Sequence, residues 1–196
     1  MVITATQPKT YTAEEYLALE VEAKTRNEFR DGEIVEMTGG TPEHNEITGM
    51  LIFLLKASLR KQPYSVFVTD QRLWIPELEL YTYPDVMLTS KPPELQPGRK
   101  DTVMNPIVIA ETLSKSTQNY DRGDKFAAYR TMESVQEYVL IDQYRPLVEH
   151  HVKQSADQWL LTTYRGLEAS FRLESVGVEI ALAELYEAIA FESDGE

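Results

Sequence analysis

A chain of 196 residues with 42% hydrophobic and 10% aromatic content is long enough for one domain with a substantial core, and it has no run of about 20 apolar residues able to cross a bilayer. The absence of cysteine excludes disulfides, cysteine-ligated zinc and thiol nucleophiles, so any metal should be a hard ion held by oxygen or imidazole, magnesium first. A formal net charge of −13 opposes non-specific attraction to phosphate backbones, so an acidic enzyme or interaction module with no nucleic-acid role stands beside every phosphate-directed reading.

The opening MVITATQPKT lacks the apolar run of a signal peptide, and a soluble cytoplasmic protein is expected. Residues 1–10 read as a disordered N-terminus, 11–190 as a single α/β domain and 191–196 as a polar tail. Tyr11-Thr12-Ala13-Glu14-Glu15-Tyr16 offers a capping box (Thr12 with Glu15) and a hydrophobic staple (Tyr11 with Tyr16), so a short helix begins at Ala13. Asp31-Gly32 between two strand-like runs predicts a hairpin carrying Glu28. From His44 to about Lys61, Ile47, Met50, Leu51, Leu54 and Leu55 make one helical apolar stripe.

Three extended segments follow: Tyr64 to Thr69, continuing past Asp70 to Ile75 if unbroken, then Tyr83 to Leu88, then Pro106 to Thr112. Lys91 to Gly98 reads as an exposed loop. Asp121 can cap a second helix running to about Met132, and Glu137 to Ile141 is again a strand. Leu147 to Val152 and Gln158 to Tyr164 suggest an antiparallel hairpin. One or two short strands and a helix from about Ala181 to Ile189 close the chain.

Two carboxylates stand at strand ends: Asp85, before Val86-Met87-Leu88, and Glu111, which closes Ile107-Val108-Ile109-Ala110. Magnesium takes one or two carboxylates and completes its octahedron with water and substrate phosphate oxygens, which is what such a pair can offer. Taken singly, Asp85 could turn a loop and Glu111 could be solvated, but a glutamate behind an apolar run is costly to bury without a positive neighbour. Lys125, on the first turn of the predicted second helix, is a candidate for that neighbour; it could orient or deprotonate water and support charge on phosphate. A solvated lysine paired with Asp121 or Asp124 fits the spacing equally.

Tyr83-Pro84-Asp85-Val86, Ile109-Ala110-Glu111-Thr112-Leu113-Ser114-Lys115-Ser116-Thr117, Asp121-Arg122-Gly123-Asp124-Lys125-Phe126-Ala127-Ala128-Tyr129 and Val135-Gln136-Glu137-Tyr138-Val139-Leu140-Ile141-Asp142 follow one another in order. This succession, with Glu28 to Val35 and His44 ahead of it, resembles the bacterial Uma-two family, within the PD-(D/E)XK endonuclease superfamily. The resemblance implies a restriction-endonuclease-like core: a central mixed β-sheet flanked by helices, with an added N-terminal helix and hairpin and a C-terminal β-hairpin and helix.

It also implies Asp85 and Glu111 as metal ligands for magnesium or manganese, with the Thr112 main-chain carbonyl as a further ligand. The superfamily lysine position, two residues after the second acid, is Leu113 here; Lys125 on the following helix restores the lysine, with Lys115 the lesser substitute. Glu28 adds a third carboxylate, or else pairs on the strand surface with Arg26 or Arg30. His44 is an accessory metal or phosphate contact, or a helix-start packing residue, and Tyr129 holds Lys125. Gln136, Tyr138 and Asp142 read as structural. His150 and His151 point to opposite strand faces and do not form a joint metal site. The implied activity is hydrolysis of nucleic-acid phosphodiesters, DNA ahead of RNA. Backbone contacts are expected from Arg60, Lys61, Arg72, Arg99, Lys100 and Arg122, and a second copy of the chain, in a homodimer, is a further candidate partner. The competing reading is a catalytically silent fold member serving as a binding or assembly module.

Overall fold

The structure, a computed structural model, describes residues 9–191. Most of the expected N-terminal extension and polar tail lies outside these residues, but Phe191 packs on Tyr186 with ring centroids 5.3 Å apart, so the domain reaches one residue further than expected.

Helix α1 (Ala13–Glu22) starts with the predicted capping box, the Thr12 hydroxyl accepting from Glu15 N–H and the Glu15 carboxylate accepting from Thr12 N–H. Its Tyr16 is fully buried against Phe29 and Tyr81 at 5.2 and 5.3 Å. Strands β1 (Asn27–Arg30) and β2 (Glu33–Glu36) form the predicted hairpin, with Asp31 and Gly32 both at positive φ, 49° and 79°, as a tight primed turn requires. Helix α2 (Pro42–Ser58) begins before His44 and ends before Lys61: Thr41 is its N-cap, Pro42 fits the first turn, and His44 sits inside that turn. Its core face is Ile47, Thr48, Leu51 and Leu55. Each fully buried aliphatic side chain there contributes roughly 1.5–3 kcal/mol of transfer free energy.

A six-stranded sheet carries the fold, in the order β11-β10-β9-β8-β6-β3. Its members are β3 (Tyr64–Val68), β6 (Val86–Ser90), β8 (Pro106–Leu113), β9 (Glu137–Asp142), β10 (Leu147–Ser155) and β11 (Gln158–Arg165). β8 and β9 run parallel and the other neighbours antiparallel, so the sheet is mixed. A second sheet, ordered β2-β1-β5-β4-β7, adds β4 (Arg72–Ile75), β5 (Leu80–Thr82) and β7 (Thr102–Val103) to the N-terminal hairpin.

The extended run expected from Tyr64 to Ile75 is therefore two strands in two sheets: Gln71 N–H closes a turn on the Val68 carbonyl at 2.9 Å. The run expected from Tyr83 to Leu88 starts as a strand only at Val86, because Pro84 has no N–H to give a ladder. The loop 91–98 is largely as expected, with one bridge from Leu95 to Val103.

The second predicted helix begins earlier than Asp121. A helical turn α3 (Gln118–Tyr120) passes into a π-turn (Asp121–Lys125) and then α4 (Phe126–Arg130). Asp121 is thus not an N-cap, and Lys125 lies beyond the first turn. β12 (Ser170–Leu173), β13 (Val178–Ala181) and the short α5 (Leu182–Leu185) complete the domain.

Alternation along β8 places the site. Val108 and Ala110 join the core beneath α2, whereas Ile109 and Leu113 join the core beneath α4. Glu111 must share the face of Ile109 and Leu113. Thr112 takes the opposite one, where its hydroxyl meets that of Thr48 at 2.9 Å.

Candidate active site

The β6–β8 register pairs Val86 with Ala110, so the next residue outward, Asp85, lies opposite Glu111. Asp85 N–H donates to Glu111 Oε2 at 3.1 Å. Asp85 Oδ2 accepts from Thr112 N–H at 2.9 Å and faces His44 Nε2, presented by the first turn of α2, at 3.0 Å. From the other face, Lys125 Nζ and Tyr129 OH both donate to Glu111 Oε1, at 3.0 and 2.8 Å, so Tyr129 holds Glu111 and not, as expected, Lys125. Lys125 also lies 3.5 Å from Asp121 Oδ1 and 3.6 Å from Glu28 Oε1, and Glu28 accepts from the Thr82 hydroxyl.

The structure thus brings Asp85, Glu111, Lys125, Glu28, His44 and Tyr129 into one cluster. Lys125 is buried rather than solvated, and it pairs with Glu111 and Asp121 together. Glu28 is buried on Lys125, and neither Arg26, which pairs with Asp70, nor Arg30, which lies over the Tyr120 ring, is its partner. Thr112 is bonded through its N–H and its hydroxyl. Lys115 remains outside, 5.3 Å from the Tyr144 ring centre, and Leu113 is buried core.

Sequence reasoning did not name Asp121 or Thr82 as site residues. Asp121 had a signal, the i,i+4 spacing to Lys125; Thr82 had none, since only the second sheet carries it to Glu28. Tyr138 positions Asp121 by donating its hydroxyl to the Asp121 carbonyl at 3.0 Å. His150 faces Glu137 at 2.6 Å while His151 lies against Phe126, as their opposite strand faces dictate. Three of the expected backbone contacts are committed elsewhere. Arg72 is buried and donates to Tyr83 OH at 2.7 Å, Arg99 is held by Asp101 and Arg122 by Glu149, because each has a nearer acceptor within the protein. Arg60, Lys61 and Lys100 are exposed.

The cluster holds four carboxylates, Glu28, Asp85, Glu111 and Asp121, and one ammonium, which contacts all but Asp85; the net charge is −3 when all are ionised and His44 is neutral. Burial pushes the Glu111 carboxyl up to about 8; the Lys125 charge opposes this, and Asp85 and Asp121 reinforce it. Burial also raises Asp121, against Lys125. For Lys125, burial favours the neutral amine but is outweighed by Glu111, Glu28 and Asp121, so the group is held well above its ordinary value. A proton on Glu111 would weaken that support, so the two shifts pull against each other. The ammonium, with three acidic neighbours, keeps its charge, and protons taken up by the cluster go to Glu111 and Asp121. At His44 burial is outweighed by Asp85, and the imidazole is raised.

These shifts share a sign. Each raised group contributes stability that is complete below its unfolded value and lost as pH rises through its folded value. The unfolding free energy of metal-free protein should therefore fall between about pH 5 and about pH 8.5, by up to about 1.4 kcal/mol per pH unit for each proton released, and the melting temperature with it. Thermal melts in chelator test this; a flat or rising profile would show that the cluster is not strained by excess negative charge.

Among the described residues no three His, Asp or Glu side chains converge as an all-protein metal cage. Magnesium does not need one, since one or two carboxylates suffice beside water and substrate oxygens. Asp85 Oδ1 takes part in none of the bonds above, and at 13% side-chain exposure against 3% for Glu111 Asp85 is, beside His44, the more accessible of the two carboxylates. Hard oxygen donors, excess negative charge and a carboxylate oxygen outside these bonds fit a divalent cation held by Asp85 and Glu111.

A model of the Uma2 family, described as “Putative restriction endonuclease”, matches residues 13–183. The chain is 43% identical over 169 residues to the uncharacterized protein sll1609 of Synechocystis, covering 86% of this chain and 95% of that one. It is 33% identical over 182 residues to slr1290 of the same organism, covering 91% and 92%. A crystal structure from Anabaena variabilis, described as a “putative nuclease belonging to DUF820”, matches with a TM-score of 0.73 over 90% of this chain and 97% of that one. At 17% identity that likeness shows a common fold.

Proposed function

Because the chain belongs to the Uma2 family, we propose that it is a nuclease hydrolysing nucleic-acid phosphodiesters, DNA ahead of RNA, with magnesium or manganese held by Asp85 and Glu111. The observation that carries this reading is the convergence of Asp85, just before β6, Glu111 of β8 and Lys125 of the π-turn into one buried, over-negative cluster.

When bound, the cation would supply Lewis-acid chemistry, activating water and neutralising charge on the phosphate. His44 and the Thr112 N–H fix the orientation of Asp85. Tyr129 and the Asp85 N–H fix that of Glu111, so both ligand carboxylates are preorganised. Lys125, held as an ammonium, is a donor rather than a base: it orients the attacking water and supports charge developing on the phosphate during in-line attack. Glu28, anchored by Thr82, and Asp121 keep its amine in place.

Purified protein incubated with single- and double-stranded DNA and RNA at low salt should cleave with magnesium or manganese and not in chelator. Cleavage unaffected by chelation would remove the metal-dependent reading. Absence of cleavage on every substrate, together with no cation-induced thermal stabilisation, would leave the silent-module reading in place.

A further inference from the structure

β11 is one edge of the six-stranded sheet. Natural sheets protect such edges with charges, prolines or bulges, because every second residue presents an unpaired N–H and C=O outward. From Gln158 to Tyr164 this strand has no charge and no proline. Its Leu160 and Leu161, neighbours on opposite faces of the sheet, are 54% and 51% exposed. An edge of this length, uncharged and carrying apolar side chains on both faces, is suited to receive another strand.

We propose that β11 is a homodimer interface, two copies pairing antiparallel across a two-fold axis to continue one sheet through both subunits. The occupant follows from self-complementarity. Symmetric antiparallel pairing requires each residue to lie opposite one with the same hydrogen-bonding direction, so the pair sits on a residue rather than between two. Centring it on Leu161 places the two Leu161 side chains opposite one another on one face and Leu160 opposite Thr162 on the other.

The same register sets Trp159 against Thr163 and Gln158 against Tyr164. It also brings Asp157, the residue before β11, opposite Arg165, the last residue of β11, once at each end. Shifting the centre to Thr162 loses both charge pairs. The surface is thus complementary to its own copy in charge and in apolar contact, even though the whole chain is acidic.

Sedimentation equilibrium of the full chain across about 1 μM to 1 mM should show a monomer–dimer equilibrium. Leu161→Lys sets two ammonium groups face to face at the axis and should raise the dimer Kd by about 100-fold. Its monomer should melt as the wild type does, since the side chain is half exposed. Asp157→Arg should weaken the dimer, and adding Arg165→Asp should restore it by exchanging the two partners. A wild type that stays monomeric throughout, or a dimer indifferent to Leu161→Lys, overturns the proposal. A dimer weakened by Leu161→Lys but not restored by the double charge exchange overturns the Leu161-centred register.

Discussion

Lys125→Met should cost about 3–5 kcal/mol of folding stability near neutral pH, the usual penalty for removing one partner of a buried ion pair. Methionine fills much of the lysine's volume, so the loss is electrostatic. Glu111, Asp121 and Glu28 all lie within 3.6 Å of the ammonium, and all three are buried. Without Lys125, the carboxyls of Glu111 and Asp121 lose the charge that holds their pKa values down, so they rise further. A raised carboxyl stabilises the fold below its unfolded value and loses that contribution as pH climbs. The deficit of the variant relative to wild type should therefore be largest above about pH 7 and shrink toward about pH 5. Urea denaturation at several pH values would show this; a deficit below about 1 kcal/mol, or one independent of pH, would mean that Lys125 does not neutralise the cluster.

Asp85→Asn and Lys125→Arg should separate the two roles in cleavage. Asparagine keeps the size of Asp85 and an oxygen for the Thr112 N–H but removes the charge. The magnesium-induced rise in melting temperature should then disappear, and cleavage should drop by about 10² to 10⁴, the several kcal/mol a catalytic ion supplies. Lys125→Arg keeps the positive charge that the three acids require, so it should fold nearly as well as wild type and still bind the cation. Its rate should nevertheless fall by about 10²-fold or more, because the planar guanidinium cannot place its donors where a compact ammonium does. Equal magnesium-dependent rates for wild type and Lys125→Arg would confine Lys125 to a structural role, and a full thermal response in Asp85→Asn would place the cation elsewhere.

What a reader of the sequence can find here is set by local rules. The capping box at Thr12 and Glu15, the hairpin at Asp31-Gly32 and the stripe through Ile47, Leu51 and Leu55 each depend on residues within a few positions of one another, and each appears in the fold. Where a non-local choice intervenes, local reading fails. The β-rich run from Tyr64 to Ile75 divides between two sheets, and Arg72, a plausible surface cation, is drawn inside by the Tyr83 hydroxyl.

The composition by itself determined that any metal chemistry would rest on oxygen and imidazole, and the ordered motifs singled out Asp85, Glu111 and Lys125 as residues of interest. Their meeting was decided by the tertiary structure. Asp85 reaches Glu111 because β6 pairs with β8 in a register that sets Val86 opposite Ala110, a choice made by the packing of two sheet faces. Lys125 reaches Glu111 because the chain passes through a π-turn between Asp121 and Lys125, and that extra residue per turn alters the rotational phase of everything after it. Glu28 joins through the second sheet, whose β5 carries Thr82 against it. Periodicity states which residues share a face of one element. Register and helix phase, which depend on packing summed over the whole core, decide which faces meet.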